Sequence, residues 1–275
     1  MKQTDWTEAW TLARPFTMTV VDAPLPEARW VPGSREYIRC RDLALGEASG
    51  GRINVQHQRV VDASAPLAAD WHVHDLDFQL LFVLRGTLRL ETETGDVALL
   101  EPGDAACMPG LHRHKQELST DMEVVEIISP GVLTTISGWD AELPGRVAGF
   151  DPERRITFSR EGDEGWRPVE GTGFRVRDLG AAAATWGVVE LELVRFADAG
   201  HGGALRSVFP TDADWMLVTD GSAHTLSSDG RSRQLGTMDA VCLIGRTEVS
   251  PRSNNFTMLQ MRLPTANAVA GAEEV

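Results

Sequence analysis

The sequence predicts an all-β protein built from two tandem copies of one sandwich- or barrel-like domain, the second copy degenerate. The first observation is an internal repeat. Displaced by 136 residues, Trp30 meets Trp166, Pro32 meets Pro168, and Arg39-x-Arg41-Asp42-Leu43 meets Arg175-x-Arg177-Asp178-Leu179. Gly51 and Arg59 then meet Gly187 and Arg195. Displaced by 135, Gly86 meets Gly221, Gly95 meets Gly230, and Asp104-Ala105-x-Cys107 meets Asp239-Ala240-x-Cys242. A period this long denotes two copies of a domain rather than a solenoid. No gap is needed from about residue 72 to 128.

The second observation is strand-like patterning. Gln79–Leu90 alternates around a Gly86-Thr87 turn, Asp96–Leu100 follows a Thr94-Gly95 turn, and Glu123–Ile128 is a short apolar-rich run. Turn signals about every 8–12 residues mark sandwiches and barrels. The third is the near absence of helical periodicity. Thr4–Leu12 and Leu179–Thr185 are the two short helices expected.

The elements follow in order: an N-terminal arm at 1–35, a first domain at 36–130 and a linker at 131–171 rich in Gly, Pro and charge. A second domain at 172–265 and a tail at 266–275 complete the 275 residues. Hydrophobic residues make up 42% and charged residues 24%, which excludes disordered and collagen-like classes. No apolar run is long enough to span a bilayer, and the first thirty residues hold no apolar leader, so no membrane partner is expected. With 26 Lys+Arg against 40 Asp+Glu, a net charge of −14, a nucleic-acid partner is not expected either. Three widely spaced cysteines (Cys40, Cys107, Cys242) form no disulfide framework, and a reducing cytoplasm is the expected location. Cys107 recurs as Cys242, which marks a core position rather than a nucleophile.

His72-Val73-His74 precedes the strand Phe78–Leu84. In an extended chain, residues two apart share a face, so both imidazoles can converge on one point. The run His72-x-His74-x4-Gln79-x6-Gly86, followed by Gly103-x5-Pro109-x-Leu111-x2-His114, resembles the two signature motifs of the cupin superfamily. The segment WHVHDLDFQLLFVLRG is similar to that of small bacterial cupins. The resemblance covers residues 36–130, and reaches the second copy through the repeat. It implies two tandem jelly-roll β-barrels, with a divalent metal in the first held by His72, His74, His114 and Gln79. Gln79 replaces the usual glutamate, and Leu111 stands where the motif has glycine, with Gly110 one place early. His112, of the same parity, is the alternative to His114. Iron(II) is favoured; zinc, nickel, manganese and copper remain open, because imidazole suits them all.

The repeat maps His72 to Ser207, His74 to Phe209, Gln79 to Asp214 and His114 to Val249, so the second copy is expected to hold no metal. His201 and His224 are read as surface residues. Val189, Leu191 and Leu193 alternate with Glu190 and Glu192, which places Ile53, Val55 and His57, with Arg59 in phase, on the pocket side. Leu259, Met261 and Leu263 place Val124, Glu126 and Ile128 there too. Buried charges need partners. Arg59 and Glu126 are therefore read either as an ion pair, or as catalytic groups together with His57, Arg59 on a substrate anion and Glu126 or His57 moving a proton. Asp75 or Asp77 is a candidate to orient a ligand imidazole, and Trp71 and Phe82 are candidate apolar walls.

The resemblance implies a metal-dependent enzyme on a small-molecule substrate. The leading expectation is an Fe(II) dioxygenase, an oxidoreductase taking a chelating phenol or enolisable diketone. The alternatives are a redox-neutral isomerase, cyclase or lyase, and a non-catalytic small-molecule binder. A homodimer is left open.

Overall fold

A computed structural model describes residues 20–21, 29–43, 45–142, 156–162, 165–185, 187–196, 203–206, 213–227, 230–244 and 247–263. The expected helix at Thr4–Leu12, the tail at 266–275, and Ser207, Phe209 and His201 lie outside them. The first half runs β1 (Val20–Val21), β2 (Val31–Pro32), β3 (Ile38–Asp42), a one-turn helix α1 (Leu45–Ala48), β4 (Asn54–Val60) and β5 (His72–His74). It continues through β6 (Phe78–Arg85), β7 (Leu88–Thr92), β8 (Val97–Leu100), β9 (Ala105–Pro109), β10 (His114–Leu118), β11 (Glu123–Ser129) and β12 (Thr135–Ser137). The second half runs β13 (Thr157–Ser159), β14 (Arg167–Val169), β15 (Phe174–Asp178), α2 (Ala181–Ala184), β16 (Glu190–Phe196) and β17 (Leu205–Arg206). Then come β18 (Ala213–Asp220), β19 (Ser222–Ser227), β20 (Ser232–Gly236), β21 (Ala240–Ile244), β22 (Thr247–Pro251) and β23 (Thr257–Leu263).

The strands form four open sheets. In the first domain a seven-stranded sheet, β13-β9-β6-β11-β4-β3-β2, faces a five-stranded one, β12-β5-β10-β7-β8. In the second, β1-β21-β18-β23-β16-β15-β14 faces β17-β22-β19-β20. The expectation of closed barrels is therefore corrected: each domain is a sandwich of two open sheets. Closure would require the edges of the long sheet to pair with those of the short one. Those edges are used otherwise: β13 pairs with β9 of the first domain, and β1 with β21 of the second, so each long sheet ends in a strand from the segment preceding the other domain.

Alternation along each strand fills two cores. Leu81, Val83, Leu88, Leu90, Met108 and Val124 fill the first sandwich; Phe174, Val194, Met216, Val218, Phe256 and Met258 fill the second. The larger cluster lies between the domains. Ile53, Val55, Leu80, Phe82, Val125 and Ile127 meet Leu191, Leu193, Trp215, Leu217, Leu259 and Met261 there. The two seven-stranded sheets thus pack back to back, and α1 and α2 insert Leu45, Ala48, Ala181 and Ala184 into the same layer. Cys107 and Cys242 belong to it as well, with the Cys107 thiol directed at the Leu179 carbonyl at 3.2 Å. Burial raises the pKa of both thiols to about 12.

This corrects the inside-outside assignment. Val189, Leu191, Leu193, Leu259, Met261 and Leu263 face the other domain rather than a pocket. The repeat also changes phase late in each copy. Leu90 pairs with Gln116 where Thr225 pairs with Val249, so β22 trails β10 by 133 residues rather than 135. His57 pairs with Val125 where Leu193 pairs with Leu259, which sets the last strand at 134. The counterpart of His114 is accordingly Thr247, not Val249, and that of Glu126 is Gln260.

The segment at 131–171 supplies β12, β13 and β14. Gly86 (φ 68°) makes the hairpin between β6 and β7, and a Cβ there would fall 2.9 Å from Met122 Cα. No helix among the described residues is long and apolar enough to cross a membrane.

The indole of Trp215 is fully buried between the domains, and its Nε1 donates to the Leu43 carbonyl at 3.3 Å. Trp215→Ala is expected to cost about 3–5 kcal/mol through the cavity it leaves. Urea titration of the full chain should show one lowered transition for both domains. Two separate transitions, only one of them shifted, would show that the interface is not the shared core described.

Candidate metal centre

Strand β5 places His72 and His74 on one face, and antiparallel β10 sets His114 directly across from His72. The ring centroids lie 4.4 Å (72–114), 4.9 Å (72–74) and 5.2 Å (74–114) apart. One ring nitrogen from each lies within 4.8 Å of the other two. All three side chains are buried.

Each Nδ1 is engaged on the outside of this cluster. His72 Nδ1 bonds the Asp70 carbonyl at 2.8 Å, His114 Nδ1 the His112 carbonyl at 3.0 Å, and His74 Nδ1 the Thr135 hydroxyl at 3.0 Å. That leaves the Nε2 atoms as the free donors. His114 Nε2 is buried with no hydrogen-bond partner, a costly arrangement. A divalent cation bound to three neutral imidazoles removes that cost, so the residues present fit the ion. Such outer hydrogen bonds fix ring orientation and tautomer. The sequence suggested Asp75 or Asp77 for this task. Thr135 was missed because β12 pairs with β5 across about sixty residues of chain, with no local signal.

The turn before His114 explains the departure from the motif. Leu111 takes the left-handed conformation (φ 61°) at the place of the motif glycine. Gly110 packs so closely on the Leu76 carbonyl that a Cβ would lie 1.9 Å from its oxygen. His112 supports His114 through its carbonyl, and its own ring lies 3.7 Å from Glu93, outside the triad.

Beneath the triad, Gln79 Nε2 donates to Glu126 Oε1 at 2.6 Å, and Gln58 Nε2 donates to Glu126 Oε2. Burial raises the pKa of Glu126 above the ordinary carboxyl value, against the opposing effect of the two amide donors. These residues line a cavity of about 220 Å³ with His72, His74, Arg35 and Gln116. Among the described residues of that lining Arg35 is the one arginine or lysine, and it was hidden at the end of the expected N-terminal arm.

The three polar residues expected together on the pocket side are divided. Glu126 faces the cavity; His57 and Arg59 lie on the opposite face of the sheet, beside Val55 and Val125. There His57 Nε2 meets Glu123 at 2.9 Å, and Trp30 packs against His57 and beneath the Arg59 guanidinium, 4.0 Å from the ring centre. The expected Arg59–Glu126 ion pair is excluded by this placement, because strand alternation sends the two side chains to opposite faces. Phe82 also belongs to the inter-domain layer, while Trp71 stacks edge-on against Trp139 at 4.7 Å. In the second domain Gln260 Nε2 donates to Asp214 Oδ1 at 3.2 Å, so acid and amide have exchanged positions relative to Gln79 and Glu126. His224 is half-buried in β19.

No protein-family model matches the chain, and no curated protein matches it. Solved structures do. A single-site mutant of Bacillus subtilis oxalate decarboxylase superposes with a TM-score of 0.61 at 14% identity, over 85% of this chain and 75% of that one. The Lactobacillus farciminis oxalate decarboxylase formate complex gives a TM-score of 0.63 at 12% identity, over 92% and 91%. The chain therefore has the bicupin fold, with a three-histidine metal-binding triad in its first domain. The likeness is to decarboxylases, and it overturns the expectation of an Fe(II) dioxygenase; oxidoreductase chemistry and the preference for iron go with it. A single divalent ion on the triad is what the donor set supports.

Burial and mutual repulsion push the pKa of His74 down to about 2 and burial pushes that of His114 to about 3, with His72 lowered as well. The unfolded chain takes up these protons below about pH 6.5, whereas the folded chain does not. The unfolded state then binds more protons, so stability falls with pH below that value. The metal-free protein should show a melting temperature that drops from pH 7 to pH 5, and His72→Ala/His114→Ala should flatten that slope. An equal slope in the variant would assign the effect to other groups.

Proposed function

We propose that the chain is a redox-neutral, metal-dependent lyase acting on a small chelating carboxylate. The observation that carries this reading is Glu126, a buried carboxyl of raised pKa that lines the same cavity as His72 and His74 of the triad. The bicupin neighbours, named as oxalate decarboxylases, support the reaction class. A divalent ion on His72, His74 and His114 supplies Lewis-acid polarisation of a chelating oxygen.

The remaining work falls to the chain. The Arg35 guanidinium at the cavity wall binds a substrate carboxylate, for which its planar fork is suited. Gln58 and Gln79 hold Glu126 in place through their amide donors. When the carbon–carbon bond breaks, its electron pair stays on the remaining fragment, and Glu126 delivers a proton to that carbon. The leaving fragment departs as carbon dioxide, and no electron acceptor is needed. A cavity of about 220 Å³ admits a small acid and excludes a polymer.

The test uses metal-loaded protein under argon in deuterated buffer, with oxalate and a panel of small dicarboxylates and 2-oxo acids, followed by NMR. Turnover is expected without oxygen, with solvent deuterium at the cleaved carbon. Glu126→Gln should lower kcat by about 10²–10⁴-fold at unchanged metal content, and Arg35→Gln should act mainly on KM. Turnover that requires oxygen, or that is indifferent to Glu126→Gln, would overturn the assignment.

A further inference from the structure

The first-domain cavity has a second end that the chemistry at Glu126 does not use. Along β10, His114 points at the triad, and Gln116 and Leu118, in the same phase, line the cavity. Gln116 therefore stands roughly 7 Å beyond His114 along the strand. Tyr37, the chain's single tyrosine, lines the same cavity and is 8% exposed. It packs with Ile38 against Leu118, which places the phenol and the amide at one end.

The protein itself uses neither polar group. The main chain of Gln116 pairs with Leu90 and accepts from Ala69 N at 2.7 Å, and the Tyr37 carbonyl accepts from Val61 N at 2.9 Å. Among the described residues neither the Gln116 amide nor the Tyr37 hydroxyl has a protein partner. The cavity of the second sandwich, about 320 Å³, is different. Its arginines are matched, Arg167 by Glu192, Arg262 by Glu190 and Glu192, and Arg206 by Glu248. The unmatched amide and phenol stand in the cavity beside the triad.

We propose that Gln116 and Tyr37 form a hydroxyl-recognising subsite, which selects among chelating acids those with a hydroxyl at the end remote from the metal. An amide and a phenol each both donate and accept. A hydroxyl is the small group that does the same toward both. A carboxylate accepts only and would leave the Gln116 carbonyl unpaired, and an ammonium would share the cavity with the Arg35 guanidinium. Ala69, Leu118 and Leu133 add apolar lining, which suits a spacer of a few carbons. The inference rests on the lyase reading of this cavity and names its substrate class, short acids with a distal hydroxyl.

The experiment is isothermal titration of the full, metal-loaded chain with N-(2-hydroxyethyl)oxamate and with N-ethyloxamate, chelating acids that differ only in the hydroxyl. The hydroxylated acid is expected to bind about tenfold more tightly or better. Gln116→Leu and Tyr37→Phe, at unchanged metal content, should each bring that ratio towards one and leave N-ethyloxamate affinity unaltered, which a loss of fold would not do. Tyr37→Phe, which removes a single oxygen, serves if Gln116→Leu fails to fold. Equal binding of the two acids, or a ratio that survives in the folded variants, would overturn the subsite and leave the lyase reading standing. No binding of either acid to the unaltered chain would overturn both.

Discussion

The back-to-back packing of the two seven-stranded sheets is the constraint on which the other features depend. It buries one face of each sheet against the other domain, so the opposite face must line its own sandwich. That single choice of face decides which residues of β4 and β11 see the metal cavity. Gln58 and Glu126 do; Val55, His57, Val125 and Ile127 do not. The packing also accounts for the open sheets, since the edge strands β1 and β13 join the two halves instead of closing barrels.

The interface repeats the twofold character of the sequence in polar detail. Trp30 lies beneath Arg59 and Arg41, and Trp166 beneath Arg195 and Arg177. Arg41 reaches across to the Met238 carbonyl, and Arg177 to that of Gly103, its equivalent in the other copy. Guanidinium–indole stacking of this kind contributes most where water is excluded. The recurrence of Arg59 as Arg195 in the second copy therefore has a structural cause: both are interface residues. His57, with its pKa lowered by burial despite Glu123, belongs to this layer too.

The two cavities show what the same scaffold does with different inner residues. In the first, three imidazoles are held by outer hydrogen bonds with their remaining nitrogens inward, above a carboxyl cradled by two amides. In the second, the amide and acid are interchanged at Gln260 and Asp214, and arginines take over the charge. Neither arrangement packs as an apolar core would. In the first, the buried imidazoles carry a desolvation cost that a bound ion would offset.

Much of this was legible in the chain itself. The repeat, the strand pattern and the spacing of His72, His74 and His114 are local properties, because a strand's side-chain period and a hairpin's length are written into consecutive residues. The inward face of β4 was not legible, because Val55 and Leu191 are equally apolar whether they line a pocket or another domain. The late phase shift that moves the counterpart of His114 to Thr247 was hidden for a related reason: changes of loop length leave the strands on either side self-consistent. Arg35 and Thr135 come from segments read as an arm and a linker, and only strand pairing over long separations brings them to the site. The sequence by itself determined the two-copy β architecture and the three histidines, because periodicity and spacing act within a few residues. The tertiary structure decided which face is core, which is interface and which is site, because those are settled by what packs on each sheet.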